Sequence, residues 1–321
     1  MKKKTIGIPR GMLYYEFYPM WERYFRSLNF NIISSPRTNK NILDKGILSC
    51  VDEACLPVKI FHGHVEYLKD KVDYIFIPKI MSLYKREYCC PKILGLAEMI
   101  ENSIKDCPEI IDPIFDYKGR TAFKKAYMET GAQLRVAKKA SKKAYKASQI
   151  DKNIYRSWLK KEVLKDASLK QENARFNLLI LGHSYNVYDE FINMGIIEKL
   201  IEEKVNISFA EDVAERDIRS FSNQVRKRIF WTHGRRTVGA ALSLIDRHKI
   251  DGIIYLNSFG CGLDSVLTHI VARKAKENNL PTMELTLDEQ TGEAGFNTRL
   301  EALLDMMKWR DRHEDNIPSF R

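Results

Sequence analysis

Three cysteines sit where the chain turns into a helix: Cys55 in "DEACLPVKIFHGH" (52–64), Cys90 in "KREYCCPKILG" (85–95) and Cys261 in "NSFGCGLDS" (257–265). The thiolate, not the thiol, attacks carbonyls and binds metals, and backbone N–H groups with the helix dipole favour it at a helix start. Gly260 and Gly262 flank Cys261 and let a bulky group come close to the backbone. Cys90 precedes Pro91, as cysteine often does at iron–sulfur ligation sites, and Cys55 is followed by Leu56-Pro57.

Four chemistries are open to such cysteines. Plain burial is common for this residue and fits Cys50 and Cys107, which have no such setting. A catalytic thiol at Cys261 needs a base, for which His183 and His269 are the candidates, although "FGCGL" is not the G-x-S-x-G elbow. A tetrahedral zinc site draws on Cys/His pairs, and Cys89-Cys90 are too close together to chelate one ion. An iron–sulfur cluster gathers cysteines from separate loops. Other residues carry weaker signals. His62 and His64 resemble a metal pair, but their i, i+2 spacing points them apart on a helix. "DEQTGEAG" (288–295) offers Asp288, Glu289 and Glu293 to Mg²⁺ or substrate, or is a loop with an N-cap. "HGRR" (233–236) reads as a loop, either solvated or touching an anion.

The scaffold that would hold these groups follows from hydrophobic patterning. "KTIGIPRG" (4–11), "NIISSP" (31–36) and "VDYIFIPKI" (72–80) read as strands, separated by stretches with helical spacing. "MLYYEFYPMWERYFRSL" is one such helix, kinked or bounded at Pro19, and Thr38 is the expected cap of the next. The alternation resumes over "FNLLILGHSYN", the helix "DEFINMGIIEKLIEEK", "VNISFAED", "IDGIIYLNSFG" and "PTMELTLDE". This order predicts an α/β fold of two doubly wound, flavodoxin- or Rossmann-like parallel-sheet domains. The N-terminal domain covers 1–115, a basic helical linker 116–174 and the C-terminal domain 175–321. Ligands of such sheets bind at the carboxyl ends of the strands.

Charge is concentrated in the linker. Between Lys118 and Arg175 there are 17 lysines and arginines against 5 acids, an excess of 12 that accounts for the whole net charge of +11. Basic helices attract phosphates in a salt-dependent way. No nucleic-acid-binding motif accompanies them, so a solvated helical face is expected, with docking to an acidic protein surface next in order and nucleic acid not expected. No run of about 18 apolar residues suggests a membrane span. The N-terminal lysines lack a following apolar segment, so a cytoplasmic protein with reduced thiols is expected.

"VDEACLPVKIFHGHV", "YCCPKILGL", "NSFGCGLDS" and "LTLDEQTGEAGFNTRLEALLD" together resemble the 2-hydroxyacyl-CoA dehydratase family. The likeness is to the D-component and to the activase-related branch. It implies an oxygen-sensitive [4Fe–4S] cluster between two flavodoxin-like domains, or the double-cubane [8Fe–9S] cluster of some relatives. On this pattern Cys55, Cys90 and Cys261 are the ligands, with Cys89 a further neighbour. Glu53, His62, His64, Glu289 and Glu293 are candidates for substrate contact. Gln290 stands where the family pattern has a histidine. The implied partners are an ATP-dependent activase of actin/Hsp70-like fold, an acyl-CoA or other small substrate, and a second subunit in a homo- or heterodimer. The implied function is reductive dehydration or reduction with low-potential electrons; the alternative is a non-catalytic electron-transfer or accessory protein.

Overall fold

The computed structural model describes residues 3–119, 122–171 and 173–313. The chain divides into two compact units. Unit 1 comprises Met1–Asp166, Ser184–Ile192 and Ile229–His233; unit 2 comprises Ala167–His183, Asn193–Arg228 and Gly234–Arg321.

Unit 1 begins with β1 (Thr5–Ile8), α1 (Tyr14–Ser27), β2 (Asn31–Ser34), α2 (Lys40–Leu48), α3 (Leu56–Leu68) and β3 (Tyr74–Phe76). It continues with β4 (Lys79–Ile80), α4 (Pro91–Leu94), α5 (Leu96–Ser103), β5 (Glu109–Ile111) and β6 (Ile114–Phe115). The sheet order is β2-β1-β3-β5, parallel throughout, and β4 pairs in parallel with β6 in a separate two-stranded sheet. The fourth strand, β5, lies outside the sequence expectation, because Pro108 and Pro113 bracket its short apolar run and mask it.

Three helices then carry the basic stretch: α6 (Ala122–Gln133), α7 (Lys138–Ser148) and α8 (Lys152–Trp158). On α7 the small residues Ser141, Ala144 and Ser148 are buried, whereas Lys138, Lys139, Lys142, Lys143 and Lys146 face solvent. That is the amphipathic pattern of a helix packed on one side.

Unit 2 opens with β7 (Asn177–Gly182); the chain then gives α9 (Ser184–Val187) to unit 1. Next come α10 (Ile196–Glu202), β8 (Asn206–Phe209), α11 (Glu215–Ser222), α12 (Thr232–Asp246), β9 (Gly252–Ser258), α13 (Gly262–Glu277), β10 (Thr282–Leu287) and α14 (Glu293–His313). The sheet order is β10-β9-β7-β8, again all parallel. In each sheet the first strand in sequence has the second on one side and the third on the other. This is the flavodoxin-like order with its switch point between first and third strands. The α/β class with two parallel sheets is therefore as the sequence predicts.

Local chemistry explains where the elements depart from expectation. Pro19 lies inside α1 without ending it. Its missing N–H would have paired with the Tyr15 carbonyl, four residues back, and the Tyr155 hydroxyl donates to that carbonyl at 2.9 Å instead. Asn39, not Thr38, caps α2: its side chain accepts from Ile42 N at 3.1 Å. The helix expected over 189–204 forms only from Ile196, because Met194 and Gly195 are both left-handed, at φ 55° and 67°. "HGRR" is no loop; it lies in the first turn and a half of α12. Arg235 there is buried and pairs with Glu215 at 2.9 Å, and Arg236 pairs with Glu211 at 3.4 Å.

Candidate functional site

Each of the three cysteines is the N-cap residue of a helix: Cys55 of α3, Cys90 of α4 and Cys261 of α13. None of the three makes a geometric side-chain cap hydrogen bond to its own helix. Proline follows within two positions in α3 and α4, where the fixed φ and absent N–H suit a helix start. All three residues are partly exposed, whereas Cys89 is buried.

In unit 1, α3 is held against α2 by two glycines. A Cβ on Gly46 would lie 1.9 Å from Lys59 O, and one on Gly63 would lie 1.8 Å from Ile42 O. This crossing fixes the helix that Cys55 begins. The "HGH" pattern thus marks a helix contact at its glycine, and both histidines are buried beside it. His62 Nδ1 donates to Val58 O at 2.8 Å. The Thr38 hydroxyl donates to Asp189 in a short contact, so it accepts from His64 Nε2 at 3.1 Å. His64 Nδ1 has no partner, which fits a neutral ring; burial lowers its pKa to about 3. Asp189 also accepts from the Tyr15 hydroxyl at 2.9 Å and from the amides of Phe191 and Ile192.

The corner bearing Cys90 is clamped by backbone. Cys89 N donates to Met81 O at 2.8 Å, Tyr88 N to Phe230 O at 2.8 Å, and Thr232 N to Tyr88 O at 3.0 Å. Nearby, Glu16 Oε1 accepts from His233 Nε2 at 3.0 Å and from Ser184 Oγ at 2.9 Å, with both members of the acid–imidazole pair buried. Burial pushes the Cys89 thiol up to about 12, and the charges of Glu16, Cys90 and Glu87 add to this. Burial also raises the Cys55 thiol; Lys92 draws it back and Cys90 pushes it up, so Cys55 and Cys90 lie within reach of each other's charge. Cys50 senses Cys55 in the same way. The C-x₄-C spacing of Cys50 and Cys55 is the signal in the sequence that links them. Cys107 is raised to about 11 by burial.

In unit 2, β7 and β9 are neighbours and their carboxyl ends carry a second group. Gly182, at φ 147°, ends β7 and is followed by His183. Gly260, at φ 74°, makes the bend after β9, a conformation that a side chain disfavours. Cys261 and Asp264 follow in the first turn of α13. The ligand atoms of His183, Cys261 and Asp264 all lie within 4.8 Å of one another. His183 Nε2 is 3.5 Å from Asp264 Oδ1, which also accepts from the Tyr255 hydroxyl at 3.1 Å. Of the two histidines considered beside Cys261, the fold brings in His183; His269 is exposed on α13. Asp264 went unremarked in the sequence, though it stands three residues after an N-cap, the capping-box position.

The remaining candidates are placed as follows. Glu53 is exposed and Glu289 half-buried. Asp288 closes its own turn, accepting from Gln290 N at 2.9 Å and Thr291 Oγ1 at 2.8 Å. Glu293 pairs with Lys199 at 2.7 Å.

The donor chemistry suits an iron–sulfur group. The sulfurs are thiols at helix starts, and no atom lies within 4 Å of where a Cβ on Gly262 would sit, so the backbone beside Cys261 is open. Exposed apolar side chains lie close in sequence to the same positions. Of the ten large ones exposed among the described residues, Leu48, Val51, Tyr88, Phe259 and Val266 lie within seven residues of Cys55, Cys90 or Cys261. Such groups are typical of contact surfaces. Among the described residues no helix is long and apolar enough to cross a membrane.

Comparison with known families and structures gives the following. The family model described as the CoA enzyme activase uncharacterised domain (DUF2229) matches residues 5–213. That of the 2-hydroxyglutaryl-CoA dehydratase D-component matches residues 201–307. No curated protein matches the chain. Among solved structures, a putative aspartate carbamoyltransferase from Leishmania major Friedlin is similar at 7% identity and TM-score 0.20, over 88% of this chain and 55% of that one. A putative thiamin diphosphate-dependent enzyme from Mycobacterium smegmatis is similar at 10% identity and TM-score 0.29, over 95% and 59%. The chain thus spans little more than half the length of these two.

Proposed function

The chain belongs to the activase-related 2-hydroxyacyl-CoA dehydratase family, and from that premise we propose that it is an iron–sulfur protein whose Cys55, Cys90 and Cys261 hold a [4Fe–4S]-type cluster. The observation that carries this reading is the shared setting of the three residues. Each is the N-cap residue of a helix, and each is partly exposed. When bound, such a cluster exchanges single electrons at a potential set by its charge, hydrogen bonding and solvent exposure.

The chain's own residues shape that environment. Lys92 favours the Cys55 thiolate. Amides of the first turn of α13 can donate to sulfur, and Gly262 leaves room for the group. We place Cys89, which is buried and caps no helix, outside the ligand set together with Cys50 and Cys107, which also cap no helix. His62 and His64 serve the packing of α3 rather than substrate contact, which leaves Glu53 and Glu289 as the acids offered to a substrate.

The role we assign is to accept low-potential electrons from an ATP-dependent activase and deliver them to an acyl-CoA or other small substrate, in reductive dehydration or reduction. A second reading, a non-catalytic electron carrier partnered with an activase, is favoured by one finding: the larger family match is to an activase-associated domain. The reading is tested by anaerobic reconstitution of the full chain, with iron and sulfide analysis and an EPR spectrum of the reduced protein. About four irons and four sulfides per chain with a reduced-cluster signal would support it. A colourless, iron-free chain would refute it. Adding acyl-CoA thioesters with an activase and ATP then separates an enzyme, which turns them over, from a carrier, which does not.

A further inference from the structure

We infer that His183, Cys261 and Asp264 form a binding site for a single divalent transition-metal ion of the Zn²⁺, Fe²⁺ or Co²⁺ class, wholly within unit 2. The cluster assignment is not needed for this: the residues, the sheet and the helix involved all belong to one unit.

Four observations point to an ion. The donor set is one imidazole, one thiol and one carboxylate, with ligand atoms mutually within 4.8 Å. Two donors bound to one zinc at about 2.0–2.1 Å lie about 3.4 Å apart at the tetrahedral angle; His183 Nε2 and Asp264 Oδ1 are 3.5 Å apart. His183 and Asp264 are 5% and 2% exposed, yet Asp264 Oδ2 has no hydrogen-bond partner. A buried carboxylate oxygen without a partner is costly, and a cation held by both oxygens of the carboxylate would satisfy it. Finally, Oδ1, the oxygen that faces His183, also accepts from the buried Tyr255 hydroxyl, the kind of outer contact that orients metal-bound carboxylates.

The location is equally telling. His183 follows β7 and Cys261 follows β9, the first and third strands of the unit 2 sheet, so the group stands at the switch point where such folds bind ligands. Three protein donors leave a fourth tetrahedral position for water or a small anionic ligand, as in catalytic rather than structural zinc sites. Mixed nitrogen, sulfur and oxygen donors select a borderline ion over Mg²⁺ or Ca²⁺. The Cys261 sulfur cannot serve this ion and a cluster at once, so the ion site belongs to the cluster-free state of the chain.

Cobalt(II) titration of the cluster-free full chain, prepared anaerobically, tests this directly. The expected result is one Co²⁺ per chain, with a thiolate-to-cobalt charge-transfer band in the near ultraviolet and d–d bands of four-coordinate intensity. Cys261→Ser should abolish the charge-transfer band. Asp264→Asn, nearly isosteric and checked for folding by circular dichroism, should weaken binding at least about 100-fold, since losing an outer-shell partner alone costs about 10–100-fold. Tyr255→Phe should fall in that smaller range. A Cys55→Ser/Cys90→Ser double variant should bind Co²⁺ as the parent does. Absence of the band, or its loss in the double variant, would overturn the inference. If the chain takes up no cluster but still binds Co²⁺ here, the cluster reading alone falls; if it takes up a cluster but the cluster-free chain ignores Co²⁺, this inference alone falls.

Discussion

Gly46 and Gly63 bring α2 and α3 into backbone contact, each occupying a place where a Cβ would lie under 2 Å from the other helix's carbonyl oxygen. This contact fixes the axis of α3 and hence the position of Cys55 at its start. Gly262, at the start of α13, is the opposite case: a Cβ there would meet nothing within 4 Å.

The two glycines should therefore respond differently to alanine. Gly63→Ala drives a methyl into the Ile42 carbonyl and should cost at least about 3 kcal/mol or prevent folding, as overpacking of a tight contact does. Gly262→Ala should change stability by less than about 0.5 kcal/mol, in the range of open surface sites. Denaturant midpoints of the two variants check this; equal effects would contradict the described packing.

Pro19 and Tyr155 should be energetically coupled. The Tyr155 hydroxyl serves the carbonyl that Pro19 leaves without its helical donor. Tyr155→Phe should cost about 1 kcal/mol in the parent. In a Pro19→Ala background the helix supplies its own N–H, and the cost should shrink. A double-mutant cycle measures the difference, and strict additivity would remove the proposed link.

His64 should impose an acid-side loss of stability. Its ring is fully buried and its pKa is lowered to about 3, against an ordinary value near 6.5. Below about pH 6.5 the unfolded chain takes up a proton that the folded chain refuses. Stability then falls as pH falls, by up to about 1.4 kcal/mol per pH unit until about pH 3. His62, also lowered by burial, acts in the same direction. In His64→Gln the difference between unfolding free energies at pH 7 and pH 5 should be smaller than in the parent. An unchanged difference would show that His64 titrates normally.

Much of this was legible in the sequence. The strands announce themselves as apolar runs, and the bends at Cys55, Cys90 and Cys261 are marked by adjacent prolines or glycines. The residues around those cysteines were harder to see. Glu16 finds His233 across 217 positions, and Thr38 finds Asp189 across 151; no local pattern encodes such pairs. Asp264 was near at hand but meaningless until β7 delivered His183 beside it. The strand β5 was hidden by its flanking prolines, and α10 was overestimated because apolar spacing says nothing of the left-handed turn at Met194 and Gly195. Local chemistry writes the elements; partners arrive only with the topology.

The most direct test of the account is the iron and acid-labile sulfide bound per chain after anaerobic reconstitution of single cysteine variants. Cys55→Ser, Cys90→Ser and Cys261→Ser should each lose most of the iron and the visible absorbance of the parent, whereas Cys107→Ser should keep both. A parent-like cluster in any of the first three variants would contradict the assignment of the three helix-capping thiols.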